Sequence, residues 1–308
     1  MANISAKDVN ELRKKTGIGM MECKKALVEA NGDFDEAIKI LREKGLSVAA
    51  KKADRVAAEG VVEIKSGNGV TVIAEINAET DFVAKNAAFK EFVDQVINTI
   101  VNNKPADVAA LMSLKLDGSD RTVDEELKDK IFMIGENITI RRFEIIEGAT
   151  GSYIHGGGSA GVVTKFETTN GIESKPEFAE YAKNICMQVA AMAPSYVCKC
   201  CVPESVIASE KEILMSQIQN DPKLSSKPAQ VIEKMVTGRI EKFYDKECLE
   251  EQAYVKDDGL KVKQYTENTG KELGGEIKIV SFTKYERGEG IEKRDEDFAA
   301  EIDKLVNG

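Results

Sequence analysis

The 308-residue sequence predicts an α+β protein in which a three-helix bundle precedes a core of two related subdomains. Three observations lead to this fold class. The first residues show helical periodicity, the apolar pattern alternates from Val61 onward as in strands, and the order hairpin, helix, strand occurs twice. The predicted units are a bundle over 1–54, a core subdomain over 55–148, a second over 149–203 and 250–290, an inserted antiparallel helical hairpin over 204–249, and a C-terminal helix module over 291–308.

The bundle is predicted from its caps and its apolar spacing. Ser5 caps a first helix, a second runs from about 20 to 30, and Asp33 caps a third. The Lys44-Gly45 pair is a helix stop signal, and the Ala/Lys-rich stretch over 48–58 is then interpreted as a linker, which could be partly helical. Three helices of this size with a glycine-bearing first loop resemble a ubiquitin-associated-type bundle.

The first core subdomain is predicted from alternation followed by helical spacing. Two apolar runs flank a turn at 66–69 and form a β-hairpin. A helix over about 87–101, a second helix over Val123–Ile134 and a strand over 138–146 complete the unit. Each subdomain is therefore expected to be a small antiparallel sheet covered by helices on one face.

The same order then repeats. Tyr153-Ile154 leads into a glycine turn, and a strand over 161–166 returns from it. Shifting the apolar face of the first long helix by 89 positions gives the apolar face of a second helix. The paired residues are Phe89, Phe92, Val93, Val96 and Ile100, against Phe178, Tyr181, Ala182, Ile185 and Val189.

An insertion in the second copy has the pattern of two helices. Glu204–Asn220 ends at Asp221-Pro222, and a second helix begins near Pro228. The residues expected to face each other are Ile207, Leu214 and Ile218, against Val231, Met235, Ile240 and Phe243. Such a hairpin cannot bury both of its sides alone, so we expect it to protrude and to find a partner. A final helix is predicted over 295–306.

Composition narrows the classes of function. The formal net charge is -10, with 53 acidic against 43 basic residues, so phosphate backbones repel the chain and nucleic acid is a poor candidate partner. No run approaches the roughly 18 apolar residues of a membrane helix, and the first residues resemble neither a secretory signal nor a transit peptide. The expected location is the cytoplasm, where the six cysteines would be reduced thiols.

A glycine-rich segment matches a cofactor motif but is given another interpretation. Residues 156–161 read GGGSAG, which fits GxGxxG. That fingerprint holds a pyrophosphate only where a strand precedes it and a helix follows. Here the following residues, 162–166, have a strand pattern. The segment is therefore predicted to be a hairpin turn, and no cofactor is expected.

Two further patterns are weighed against binding or catalysis. Cys198-Lys199-Cys200-Cys201 suggests a soft metal, and Cys186 could add a ligand, but structural zinc usually takes four ligands in two spaced pairs. Reduced thiols in a connection between helices are preferred, so no metal site is predicted. His155 is the only histidine, and neither GxSxG nor GxxxxGK[ST] occurs. We expect no catalytic turnover.

An aromatic residue beside a carboxylate marks the turn between the first hairpin and its helix. From the residues alone two interpretations remain open. In the first, Asp81 caps the next helix and Phe82 is part of the core, which spacing alone favours because burial is the usual fate of phenylalanine. In the second, the pair is a functional tip on a rigid mount.

Five segments resemble the elongation factor Ts family. They are TDFVAK at 80–85, TGIGMMECKKAL at 16–27, IGENITIRR at 134–142, and GEGIEK at 288–293 with DFAA at 297–300. These runs extend from residue 16 to residue 300. The resemblance therefore covers nearly the whole chain.

The resemblance implies a guanine nucleotide exchange factor, not an enzyme, that binds the GTPase elongation factor Tu and promotes GDP release during translation elongation. The family's intruding residues correspond to Thr80, Asp81, Phe82 and Val83. In the family the ring wedges between two helices of the G domain and disturbs its magnesium site. Further contacts with the GTPase are implied for Lys24, Lys52, Ile134, Gly135 and His155.

From the residues alone, purely structural roles remain open at those further positions. Ile134 could be core, Lys24 and Lys52 solvated charge, and His155 a partner for hairpin backbone. The hairpin over 204–249 corresponds to the family's protruding coiled coil, which some members use for self-association. Two rival functions are a ubiquitin-associated-type adaptor whose residues 1–54 alone bind the partner, and an enzyme with a pocket between the subdomains.

Overall fold

A computed structural model describes residues 4–221 and 223–292. The N-terminal bundle consists of α1 (Ala6–Thr16), α2 (Met20–Glu29) and α3 (Phe34–Lys52). Ser5 caps α1 in a capping box with Asp8, as predicted. The predicted stop at Lys44-Gly45 is wrong, and the linker predicted from residue 48 is helical as far as Lys52.

Tertiary packing explains why α3 continues through its glycine. A Cβ atom at Gly45 would lie 3.6 Å from the Cβ of Phe132, so this position faces another helix closely. A glycine inside a helix costs about 1 kcal/mol relative to alanine. Here the close contact between helices offsets that loss. The Lys44-Gly45 pair alone gives no information on this contact, because the other helix is distant in sequence.

The first sheet has the antiparallel order β1 (Glu59–Gly67), β2 (Val70–Ala78), β3 (Ile138–Glu147). Asn68 and Gly69 join β1 to β2 with positive φ angles of 50° and 76°, the backbone of a tight hairpin turn. Between β2 and β3 the chain forms α4 (Asp81–Ala84), α5 (Ala87–Asn103), α6 (Val108–Met112) and α7 (Val123–Ile134). The short helices α4 and α6 were not predicted.

The second sheet repeats this arrangement. Its strands are β4 (Ala149–His155), β5 (Ala160–Thr168) and β8 (Ile277–Glu286), in that antiparallel order. Between β5 and β8 lie α8 (Pro176–Met192), α9 (Glu204–Asn220), α10 (Ala229–Glu247), β6 (Ala253–Tyr254), β7 (Asp257–Lys261) and α11 (Val262–Leu273). The ten apolar residues paired by the 89-residue shift are all buried, so that prediction is confirmed on α5 and α8.

The two sheets pack against each other. Val62, Ile73, Ile146 and Val163 form one buried cluster that draws on both. The contact is close at Gly161, where an added Cβ would lie 2.7 Å from Cγ1 of Val62. Helices cover the opposite faces: alternate residues of β2 pack with α5, and β5 packs with α8. The α+β class is thus confirmed.

The helices α9 and α10 form the predicted hairpin with a partly different interface. Leu214, Ile218 and Ile240 are buried as expected. Val231 is 40% exposed, so its predicted place in the interface is wrong. It lies in the first turn of α10, and Val236 is buried in the interface instead. The helix predicted over 295–306 lies outside the described residues.

The prediction that all six cysteines are thiols is also wrong. Cys198 and Cys200 form a disulfide, whereas Cys23, Cys186, Cys201 and Cys248 are free. A short 3₁₀ turn at Lys199–Cys201 brings the two bonded residues to a Cα separation of 5.3 Å, within the range that a disulfide bridges. Spacing along the sequence does not report that turn.

Glu75 is a fully buried carboxylate in the central strand β2. Its oxygens accept hydrogen bonds from Arg141 (2.9 Å), Arg142 (2.7 Å), the Gly288 amide (2.7 Å) and Asn77 (3.1 Å). Burial raises the pKa of Glu75, but these donors outweigh burial and hold the pKa below its ordinary value. The network joins β2 and β3 to the segment after β8.

We expect Glu75→Gln to lower the free energy of unfolding by about 3 kcal/mol, the order of magnitude for breaking a buried ion pair. Because the folded-state pKa is depressed, this contribution is present above the ordinary glutamate pKa and is lost as pH falls through the lower folded-state value. Denaturant unfolding at pH values from about 3 to 7, a range that includes the ordinary glutamate pKa, measures both effects. Glu147→Gln is the matched control, since its side chain is exposed on β3. Equal stability of the two variants would contradict the prediction.

Candidate functional site

Phe82 is the most exposed large apolar side chain among the described residues, with 81% of its surface accessible. It lies on α4, in the connection between β2 and α5. Its chain neighbours Val83 and Ala84 are buried in the first hydrophobic core, at 8% and 5% exposure. The interpretation of Phe82 as a core residue is therefore wrong. The backbone is anchored while the ring points to solvent.

Thr80 fixes the start of α4. Its Oγ1 accepts a hydrogen bond from the Val83 amide (3.3 Å) and donates one to Glu136 Oε1 (2.7 Å). The Thr80 amide donates to the other oxygen of Glu136 (3.0 Å). The Glu136 carboxylate thus accepts hydrogen bonds from both the amide and the hydroxyl of Thr80. These two bonds set the direction in which α4 leaves the sheet. Thr80 caps α4, and Asn86 caps α5, so the interpretation of Asp81 as the cap of the helix after the hairpin is wrong.

Asp81 instead pairs with a lysine one turn further along. Lys85 Nζ lies 2.7 Å from its carboxylate, and this hydrogen bond holds the pKa of Asp81 below its ordinary value. Both side chains are exposed, so the pair contributes little to stability. The carboxylate stays charged beside the ring of Phe82 and remains accessible to another molecule.

A second carboxylate ties the same region to the end of the bundle. Glu79 accepts the amide of Asn137 (2.6 Å) and pairs with Arg55 (2.9 Å). The Asn137 side chain donates to the backbone carbonyls of Ala53 (3.3 Å) and Arg55 (2.8 Å). The segment after α3, the segment after α7 and the start of α4 are therefore held together by hydrogen bonds.

Lys52 and Gly135 lie beside this network. Lys52 Nζ donates to the carbonyl oxygen of Gly135, which ends α7 with a φ angle of 84°. Ile134 is partly buried against the first core, so packing accounts for its position. Of the predicted site residues, Lys52, Gly135 and Thr80 are thus linked through the short segment that carries Glu136.

Lys24 and His155 are placed elsewhere. Lys24 is exposed on α2, and His155 is exposed at the end of β4. The His155 ring contacts the Tyr153 hydroxyl (Nδ1 to Oη, 3.0 Å), while Ser159 donates to the backbone carbonyl of His155 and not to its ring. This geometry is not that of a Ser/His catalytic pair. Within residues 4–221 and 223–292, no hydrogen bond or ion pair joins Lys24 or His155 to Thr80–Val83.

Sequence reasoning missed the residues that hold the tip, which we define as residues 80–83. Glu79, Glu136 and Asn137 are ordinary polar residues with no periodic signal. Glu136 and Asn137 do belong to the IGENITIRR segment, and that segment was identified for its resemblance alone. Their role is visible only once β2 and α7 are brought together.

Comparison with known proteins agrees with this architecture. The family model described as "Elongation factor TS" matches residues 79–289, from the residue before the tip to the segment that contacts Glu75. No helix of the described residues combines the length and the apolar character needed to cross a bilayer.

Relatives named "Elongation factor Ts" align along almost the whole chain. The protein from Syntrophotalea carbinolica is 47% identical over 302 residues, which cover 97% of this chain and 98% of the relative. That from Clostridium perfringens strain SM101 is 46% identical over 311 residues, covering 98% and 99%. That from Clostridium kluyveri is 46% identical over 312 residues, covering 99% of each. The chain belongs to the elongation factor Ts family.

We expect Phe82→Ala to change the free energy of unfolding by less than about 0.5 kcal/mol, because an exposed ring contributes little to the fold. Phe89→Ala, at a fully buried ring on α5, should cost about 3–5 kcal/mol. Denaturant unfolding of the two variants makes the comparison. A large destabilisation by Phe82→Ala would mean that the ring packs within its own chain.

Glu136→Gln should loosen the tip without unfolding the protein. Replacing one carboxylate oxygen by an NH₂ group leaves one donor of Thr80 without an acceptor, and hydrogen bonds to a charged group contribute about 1.5–3 kcal/mol. Amide hydrogen exchange at Thr80 and Val83 should become at least roughly tenfold faster. Exchange in the central strand β2 should stay unchanged. Equal protection in the variant and the wild type would show that Glu136 does not hold the tip.

Proposed function

We propose that this chain is a guanine nucleotide exchange factor that binds elongation factor Tu carrying GDP and promotes GDP release during translation elongation. The observation that carries the proposal is the exposed Phe82 ring on a backbone fixed by Glu136. Membership of the elongation factor Ts family supports it. The chain would act by binding and would need neither a catalytic residue nor a cofactor of its own.

The tip has the properties of a protein-binding wedge. Burying a phenylalanine side chain contributes about 1.5–3 kcal/mol, and here that gain is available only in a complex. Since hydrogen bonds already fix Thr80, little conformational entropy is lost when the tip binds. Asp81 adds a negative charge beside the ring. An aromatic wedge with an adjacent carboxylate would suit insertion between two helices of the G domain.

Disturbance of the magnesium site is the mechanism we propose for exchange. Tight binding of GDP to a GTPase depends on Mg²⁺ and on the amides of the phosphate-binding loop. A small displacement of either therefore weakens the electrostatic attraction between the GTPase and the GDP phosphates. An exchange factor binds the empty GTPase more tightly than the loaded one. By linkage, nucleotide must then weaken binding of the factor by the same ratio.

The remaining predicted contacts belong to the same proposal. Lys52 and Gly135 lie next to the network that holds the tip, which supports a shared surface with it. Lys24 on the bundle and His155 on the second sheet would contact other parts of the GTPase. The proposed units therefore remain the bundle over 1–54, the two core subdomains and the hairpin, with the bundle gripping the G domain.

Three further expectations stay predictions. Self-association through 204–249 is supported by exposed apolar side chains on the hairpin, namely Ile213, Met215 and Val231. The cytoplasmic location and the lack of a direct nucleic acid partner are predictions from the sequence alone. A ubiquitin-associated-type adaptor without exchange activity is not favoured, because the family membership extends over the core as well as the bundle.

The decisive measurement is release of fluorescent GDP from elongation factor Tu with catalytic amounts of the chain. We expect strong acceleration by the wild type. Phe82→Ala should reduce it by about 5- to 150-fold, the range of a typical allosteric coupling of ~1–3 kcal/mol. Met192→Ala is the matched control, since Met192 is an exposed apolar side chain at the end of α8.

Binding of the wild type and of each variant to the nucleotide-free GTPase is measured in parallel. This measurement distinguishes a loss of exchange activity from a loss of binding. Asp81→Ala tests the carboxylate in the same way. If Phe82→Ala and Asp81→Ala exchange like the wild type, the wedge assignment is wrong. If the full chain binds the GTPase without accelerating GDP release, and residues 1–54 alone bind equally well, the adaptor interpretation is correct.

A further inference from the structure

Three cysteines meet at the foot of the helical hairpin. The Sγ atoms of Cys198, Cys200 and Cys201 all lie within 4.8 Å of one another. Cys200 and Cys201 are exposed and Cys198 is partly exposed, whereas the flanking Val197 and Val202 are buried. Two buried anchors thus bracket a turn that presents three sulfur atoms to solvent, just before α9 begins.

Backbone geometry explains why the sulfur atoms converge. The Cys201 amide donates to the Cys198 carbonyl (3.0 Å), which closes the 3₁₀ turn. A 3₁₀ helix has three residues per turn, so side chains at i and i+3 lie on the same side. The Sγ atoms of Cys198 and Cys201 are accordingly adjacent, and Cys200 joins them through its disulfide with Cys198.

The turn rests on a rigid support. Lys199, between the cysteines, pairs with Glu241 of α10 (2.6 Å) and lies 5.1 Å from the centre of the Tyr244 ring. The amides of Leu249 and Glu250 donate to the carbonyls of Tyr196 (2.8 Å) and Val197 (2.9 Å). The turn is therefore fixed to the end of α10 on one side and to the second core on the other.

We propose that, once its disulfide is reduced, this turn binds a soft d¹⁰ metal cation, Zn²⁺ or Cu⁺, through Cys198, Cys200 and Cys201. Thiolates are the ligands that these cations prefer. Three protein ligands leave an open coordination position, unlike the four of a structural zinc site. The exposure of Cys200 and Cys201 provides the entry path that metal uptake needs.

Cys186 does not belong to the site, although the sequence allowed it as a ligand. It is fully buried in the second core, where its thiol donates to Thr164 Oγ1 (3.3 Å). Burial raises the pKa of Cys186 to about 11, which disfavours the thiolate that a metal requires. It therefore serves as the matched control.

Metal binding and the disulfide exclude each other because they use the same sulfur atoms. A dithiol reductant converts the Cys198–Cys200 disulfide into two thiols and is itself oxidised to a cyclic disulfide. Binding of the cation then displaces the thiol protons into solvent. The oxidised chain has lost two of the three ligands and should not bind.

The test uses the full chain, reduced and then freed of reductant without oxygen. One portion is titrated with Zn²⁺ against a chromogenic chelator, the other with Cu⁺ against bicinchoninate. We expect one equivalent of at least one cation to bind. Affinity should fall at least about 100-fold in the chain with C198S, C200S and C201S combined. Cys186→Ser should bind like the wild type, and the oxidised chain should not bind.

Preference for Zn²⁺ or for Cu⁺ decides which cation the open site takes, and either result supports the proposal. Circular dichroism checks that the triple variant is folded, and Cys200→Ser alone provides a second, milder variant. The proposal is overturned if the reduced wild type takes up no more of either metal than the folded triple variant. Equal binding by the oxidised chain, or loss of binding in Cys186→Ser, would overturn it as well.

Discussion

The pair of hydrogen bonds from Thr80 to Glu136 is the interaction on which the site depends. An aromatic side chain in an ordinary surface turn would either fold back onto the core or sample many orientations. Here one carboxylate takes the amide and the hydroxyl of the same residue. The backbone is thereby fixed while Phe82 stays exposed. The ring is exposed because these hydrogen bonds fix the backbone, and not because of the aromatic residue itself.

The contact between Thr80 and Glu136 depends in turn on how the sheets are packed. Glu136 follows α7 and Thr80 follows β2, so the two meet only because β3 pairs with β2 and returns the chain to the same edge. Close approach of the second sheet at Gly161 and the buried Glu75 network hold β2 against the second half of the core. The surface we assign to the GTPase is thus supported by contacts from both halves of the core.

Hydrogen bonds and an ion pair attach the helical hairpin to this core at its foot. Its buried interface is short and apolar, and its foot is fixed by Lys199 and by backbone hydrogen bonds near Leu249. The three cysteines lie at that foot, apart from the tip. A metal at the turn would therefore act on the attachment of the hairpin and leave the proposed wedge unchanged.

The sequence by itself determined the α+β class, the order of the long helices and strands, and the buried faces of α5 and α8, because these follow from local periodicity and from an internal repeat. Its resemblance to the family also selected residues 80–83 as the proposed site. Only the tertiary structure decided that Phe82 is exposed, that α3 continues through Gly45, and that Cys198 and Cys200 are joined. Each of these outcomes depends on a neighbour distant in sequence or on the shape of a short turn, and spacing along the chain reports neither.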